Sequence, residues 1–121
     1  MSWRFDTVSS VSGQIASSLR IKILMGEYKA GEQFPTVRSL ACELAVNPNT
    51  VQKALCILEQ EGLLVSQTTV GRFVTEDREV LENALNYFRE SFMKNVISKA
   101  KDIGITKKVF TDYIGESEEL L

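Results

Sequence analysis

The tightest constraint on this chain is the stretch from Pro35 to Val74, where two short amphipathic segments stand only a few residues apart. Val37, Leu40, Ala41 and Leu44 fall at i, i+3, i+4 and i+7, which makes one apolar stripe on a helix. Val51, Ala54, Leu55 and Leu58 repeat that spacing. Between the two stripes, Asn47 suits an N-cap and Pro48 the first helical position, predicting a second helix over Pro48 to Glu61. Gly62 supplies its stop. Two short helices joined this closely must cross steeply, as in a helix-turn-helix. Leu63 to Gln67 and Arg72 to Thr75, around Thr68-Thr69-Val70-Gly71, have the composition of a small hairpin. The expected fold class is therefore mainly α with a small β-hairpin, a winged helix-turn-helix.

The flanks fit this frame. Ser12 reads as an N-cap for a helix through Met25, with Ile15, Ala16, Leu19 and Ile23 on one face and Gly26 closing it. That helix is expected to fill the third side of the core. Tyr28 to Phe34, with Gly31, is a connecting loop. Trp3 and Phe5 alternate with polar residues and read as a short strand or arm anchored on the domain. After Thr75 the pattern changes. From Asp77 to Ile103, Leu81, Leu85, Phe88, Phe92 and Val96 recur at spacings of four, three, four and four, ended by Gly104. A stripe so aromatic needs a partner face. Thr106 then caps a shorter helix holding Val109, Phe110, Tyr113 and Ile114, before an acidic end from Glu116 to Leu121. The expected organisation is a winged helix-turn-helix over residues 1–76 and a two-helix extension over 77–121. A two-helix extension is too small to enclose a ligand pocket by itself. It suits dimerisation through that stripe, with packing on the winged helix as the alternative.

Composition excludes more than it assigns. A hydrophobic fraction of 44% is that of a folded chain, and no apolar run approaches a membrane span. No signal peptide is visible at the N-terminus, so the expected location is the cytoplasm. With no His in the chain, Cys42 and Cys56 read as two reduced thiols in or near the core, with neither metal nor disulfide. No nucleotide loop and no paired carboxylates on a shared buried face are evident, so no enzyme and no cofactor is expected. Residues 1–76 carry seven Lys and Arg against seven Asp and Glu; the remainder carries seven against nine, for a net of −2. A neutral domain binds nucleic acid only if its cations gather on one face. Arg38, Lys53 and Arg72 are the expected cluster, with Glu59, Glu61 and Glu76 beyond the recognition turn.

The residues outside the second helix's stripe suit contact with duplex DNA. Asn49, Thr50, Gln52 and Lys53 fall on its outer face near the N-terminus, the part that meets base edges in a helix-turn-helix. Asn and Gln can pair with adenine, and Lys reaches guanine or phosphate. A plain solvated face is the alternative for the same four residues.

Four pieces in order, from Pro35 to Val74, then resemble one family. Pro35-Thr36-x-Arg38-x-Leu40-Ala41 is followed by Val46-Asn47-Pro48-Asn49-Thr50-Val51. Leu58-Glu59-x-Glu61-Gly62-Leu63 and Gly71-x-Phe73-Val74 complete the set. Together they resemble the DNA-binding domain of GntR-family bacterial transcription regulators, and the Asn-Pro-Asn-Thr-Val run with the short tail is most similar to the YtrA-type subfamily. The resemblance implies a homodimeric repressor on an inverted-repeat operator, for instance of a transporter operon. Any small-molecule effector would then bind a crevice at the dimer interface. It implies DNA contacts from Thr36, Arg38 and Thr50, which join the outer-face residues Asn49, Gln52 and Lys53; Asn47, and Gly71 and Arg72 of the wing, are further candidate contacts. Two departures each remove a cation, because many relatives have Arg where this chain has Pro48 and Gln52. The usual Gly-x-Gly turn of the wing is here Thr69-Val70-Gly71. The other function considered is a winged helix serving as a protein-interaction or scaffold module, which the neutral charge favours.

Overall fold

The computed structural model describes residues 10–121, so Trp3 and Phe5 lie outside the described residues. Among those described, the chain forms five helices and one two-stranded antiparallel sheet. The order is α1 (Val11–Leu24), α2 (Val37–Leu44), α3 (Pro48–Gln60), β1 (Leu64–Gln67), β2 (Gly71–Val74), α4 (Arg78–Asp102) and α5 (Lys107–Glu116). It divides into two compact units, residues 1–84 and residues 85–121.

The first unit is the winged helix-turn-helix, organised on α3. Val51, Ala54, Leu55 and Leu58 are fully buried, and they meet Ala16, Leu19 and Ile23 of α1 and Leu40 and Ala41 of α2. Leu63, Leu64 and Val74 close the core from the sheet side. Burying a Leu completely contributes roughly 1.5–3 kcal/mol, so the stripe read from spacing is also the main source of stability.

The caps show why each helix begins and ends where it does. The Thr36 hydroxyl accepts from the Ser39 amide at 3.1 Å, and the Asn47 side chain from the Asn49 amide at 2.8 Å, with Pro48 following. Between α2 and α3 the turn is made by Ala45 in the left-handed region (φ 55°, ψ 45°). That conformation costs an L-residue about 1–2 kcal/mol. The Val46 amide bonding back to the Ala41 carbonyl at 3.1 Å helps to hold it. Gly62 carries φ 80° after α3, a value glycine tolerates, and this turns the chain into β1.

The expectations for the α1 cap and for the thiols are corrected. Ser10, not Ser12, caps α1: its Oγ accepts from the Gly13 amide at 3.1 Å, three residues on, whereas Ser12 is buried inside the first turn. Both cysteines are exposed, because Cys42 and Cys56 lie off the apolar stripes of α2 and α3.

The sheet pairs Leu64 with Val74, Val65 with Phe73, Ser66 with Arg72 and Gln67 with Gly71. Only its base is buried: burial falls away along β1 and rises along β2 to Val74. A bridge from Gln33 to Phe73 and the Phe34 amide bonding to the Arg72 carbonyl at 2.7 Å add a short third edge. In α4, Asp77 is the cap rather than the first helical residue, accepting from the Glu79 amide at 3.0 Å. Val80, Leu81 and Ala84, in its first turns, pack against the winged core. Leu81 is thereby engaged within its own chain.

The second unit comprises the rest of α4 and α5, joined through Gly104 at φ 75° and capped by Thr106, whose Oγ1 accepts from the Val109 amide at 3.3 Å. No residue of α4 or α5 is buried. Phe92 is 59% exposed, and Ile97, Ile103, Val109 and Tyr113 are exposed as well.

Leu55→Ala leaves a cavity at the centre of this core and should destabilise the protein by about 2–5 kcal/mol in urea unfolding. A destabilisation below about 1 kcal/mol would show that α3 is not the keystone. Both thiols should react with a disulfide reagent in the native protein at rates close to those after unfolding. Protection of either would contradict its exposed position.

Candidate nucleic-acid interface

The buried stripe of α3 decides which of its side chains remain outside. Asn49, Gln52 and Lys53 are exposed, and Thr50 is half-buried on the flank. At 100° per residue, Asn49 and Lys53 stand near the middle of the outer face and Gln52 toward one side. The Gln52 amide contacts the Cys56 sulfur one turn on, at 3.7 Å. Asn47 and Thr36 use a side-chain oxygen to cap their helices. The Thr36 hydroxyl proton and the Asn47 NH2 remain available to an acceptor.

Charge separates along α3. Arg20 of α1 holds the Glu61 carboxylate with two hydrogen bonds, at 2.7 and 2.6 Å. Arg72 of β2 donates from Nε to Oε1 of Glu59. Both acids near the C-terminal end of α3 are thus neutralised within the fold. Arg38 on α2 and Lys53 on α3 are exposed and have no ion-pair partner among the described residues. The expected trio of free cations is therefore a pair. Arg72 is withdrawn from it by Glu59, a pairing between two elements that residue spacing does not give. Gly71 opens β2 at φ 123°, exposed beside the turn, with the Gln33 amide donating to the Val70 carbonyl at 2.9 Å.

The first unit also has a cleft of about 250 Å³ between α1 and α2, lined by Ile15, Leu19, Tyr28, Leu40 and Leu44, with Lys22 and Glu43 among its polar residues. Among the described residues, no group of three or more Cys, Asp or Glu side chains is placed to hold a metal ion. No helix there is long and apolar enough to cross a membrane.

A winged helix-turn-helix whose second helix buries one face and presents amides and a lysine on the other is the architecture of a DNA-binding regulator. Residues 11–74 match the family described as bacterial regulatory proteins, gntR family, and the chain belongs to that family. It is similar to the HTH-type transcriptional repressor YtrA of Bacillus subtilis, 30% identical over 105 residues that cover 85% of this chain and 80% of that one. Among solved structures it resembles a GntR family transcriptional regulator from Listeria monocytogenes, with a TM-score of 0.83 and 31% identity over 94% of this chain and all of that one. The AraR DNA-binding domain in complex with operator ORR3 matches 53% of this chain and 77% of its own, with a TM-score of 0.51 and 28% identity. The chain is thus a YtrA-like transcription regulator of the GntR family.

Proposed function

We propose that the protein is a repressor that binds an inverted-repeat operator in duplex DNA as a homodimer. The observation that carries this reading is the outer face of α3. Asn49, Gln52 and Lys53 are exposed on α3, Arg38 is exposed on α2 without an ion-pair partner among the described residues, and the acids of α3 are neutralised at its far end. In the major groove, Asn49 and Gln52 read base edges, Thr50 lines the flank, and Lys53 takes a guanine or a phosphate. Arg38, the Thr36 hydroxyl and the Asn47 amide hold the phosphate backbone beside the groove. The backbone at Gly71 brings the wing close to the duplex. The repressor assignment rests on similarity to YtrA, and the mode of docking on similarity to a domain seen with its operator.

A homodimer is supported by the tail. An apolar surface as large as that of α4 and α5 is rarely left open to water, and a two-fold pair buries it while placing two recognition helices on successive half-sites. The stripe expected from Leu81 to Val96 is available from Leu85 onward, with Leu85, Phe88 and Val96 half-buried and Phe92 exposed. The reading places transporter genes among the regulated targets, and any effector at the dimer interface.

Selection of bound fragments from randomised DNA at physiological salt should recover an inverted repeat; recovery of nothing by folded protein would favour the interaction-module reading. Arg38→Ala and Lys53→Ala should each weaken binding with the fold intact. Where the deleted side chain neutralised a phosphate, the salt slope of binding should fall by about 0.9. Unchanged affinity in both variants would remove this face as the interface. Phe92→Asp should shift the protein from dimer to monomer in sedimentation, and a mass that stays dimeric would place the interface elsewhere.

A further inference from the structure

The wing tip lacks the means by which the rest of the first unit is fixed. Beyond Leu64 and Val74 no apolar side chain of the hairpin is buried; Val65 and Val70 are 48% and 54% exposed. A two-stranded hairpin without such burial is marginal by itself. Two polar contacts supply what packing does not. On the inner side, Arg72 bonds to Glu59 with both side chains largely covered, at 18% and 28% exposure. Arg72 lies two residues before the buried Val74, so its side chain leaves the strand on the core-facing side, toward α3. At the turn, Gln33 donates to the Val70 carbonyl at 2.9 Å, while the Phe34 amide bonds to the Arg72 carbonyl along the adjoining edge.

The location of Glu59 gives these contacts a consequence for DNA. It follows Gln52 by seven residues, which returns it to the same flank of α3 within about 20°. The wing is therefore tied to the side of the helix that carries Gln52. We propose that Glu59, Arg72 and Gln33 form a polar clamp setting the wing beside that flank, and that Arg72 is a positioning residue that acts through the wing instead of touching phosphate. The consequence for binding rests on the operator reading above; the clamp itself does not.

The test has two arms, using the full chain throughout. In the first, amide hydrogen exchange is measured without DNA in Glu59→Gln, Arg72→Gln and Gln33→Ala. Removing a partly exposed ion pair or its equivalent should speed exchange in β1 and β2 by about two- to five-fold, with α3 unaffected. Unchanged wing exchange in all three variants overturns the clamp. In the second arm, binding is measured to a duplex carrying the selected inverted repeat and to a scrambled duplex of the same length. Glu59→Gln and Arg72→Gln should weaken operator binding by similar factors at unchanged salt slope, and the swap Glu59→Arg with Arg72→Glu should restore it. A slope lowered by about 0.9 in Arg72→Gln, with Glu59→Gln binding as tightly as the parent, would instead make Arg72 a phosphate contact and overturn its positioning role. If the parent protein prefers neither duplex, the operator reading fails and the consequence for binding with it, while the exchange arm still decides the clamp.

Discussion

Everything in the first unit depends on one helix having to satisfy two media at once. Val51, Ala54, Leu55 and Leu58 of α3 are completely buried, and α1, α2 and the start of β1 pack on them. This burial fixes the rotation of the helix about its axis, and so fixes that Asn49, Gln52 and Lys53 look outward. The outer positions make little contribution to stability and are free to answer to a partner. The buried positions cannot change without opening a cavity. Binding chemistry and folding chemistry are thus separated by helical periodicity alone.

Electrostatics is arranged along the same helix. A domain with as many acids as cations, as over residues 1–76, looks a poor DNA binder when counted. The count misleads because ion pairs are local. Glu59 and Glu61 are held by Arg72 and Arg20 near the C-terminal end of α3, leaving Lys53 in the first half of α3 and Arg38 in the first turn of α2 unpaired among the described residues. Neither Pro48 nor Gln52 adds a cation to the outer face of α3. On the proposed reading, this chain would lean on amide contacts to bases and on doubling by a second subunit more than on phosphate attraction.

The tail follows a different logic. A pair of helices without a single buried residue has no core of its own. Its i,i+4 ion pairs, Glu90 with Lys94 and Lys108 with Asp112, support helices but provide no tertiary hold. Its exposed aromatic and branched side chains make the unit incomplete alone, which is the physical ground for the dimer proposed above. Leu81 belongs to the same sequence stripe, yet it packs on the winged core. The stripe runs past the point where the two compact units divide, and periodicity carries no mark of that point.

Local chemistry was legible in the sequence wherever a local rule decides the structure. Helical spacing marked out the apolar faces, and the caps at Asn47 and Thr106 and the stops at Gly62 and Gly104 were readable because each acts within a few residues of itself. The turn between α2 and α3 was less so, since Ala45 adopts a glycine-like conformation under the constraint of the helices it joins. The cap of α1 was misassigned by two residues because Ser10 and Ser12 are chemically alike. The thiols were misplaced by residue type, although the same helical spacing already sets Cys42 and Cys56 off the apolar stripes. The fate of Arg72 belonged to the tertiary structure altogether. Its partner Glu59 lies thirteen residues away on another element, and only the folding of the hairpin back over α3 brings the two charges together. Sequence determines what each segment is suited to; which suited groups meet, and so which remain free to bind, is decided by long-range packing.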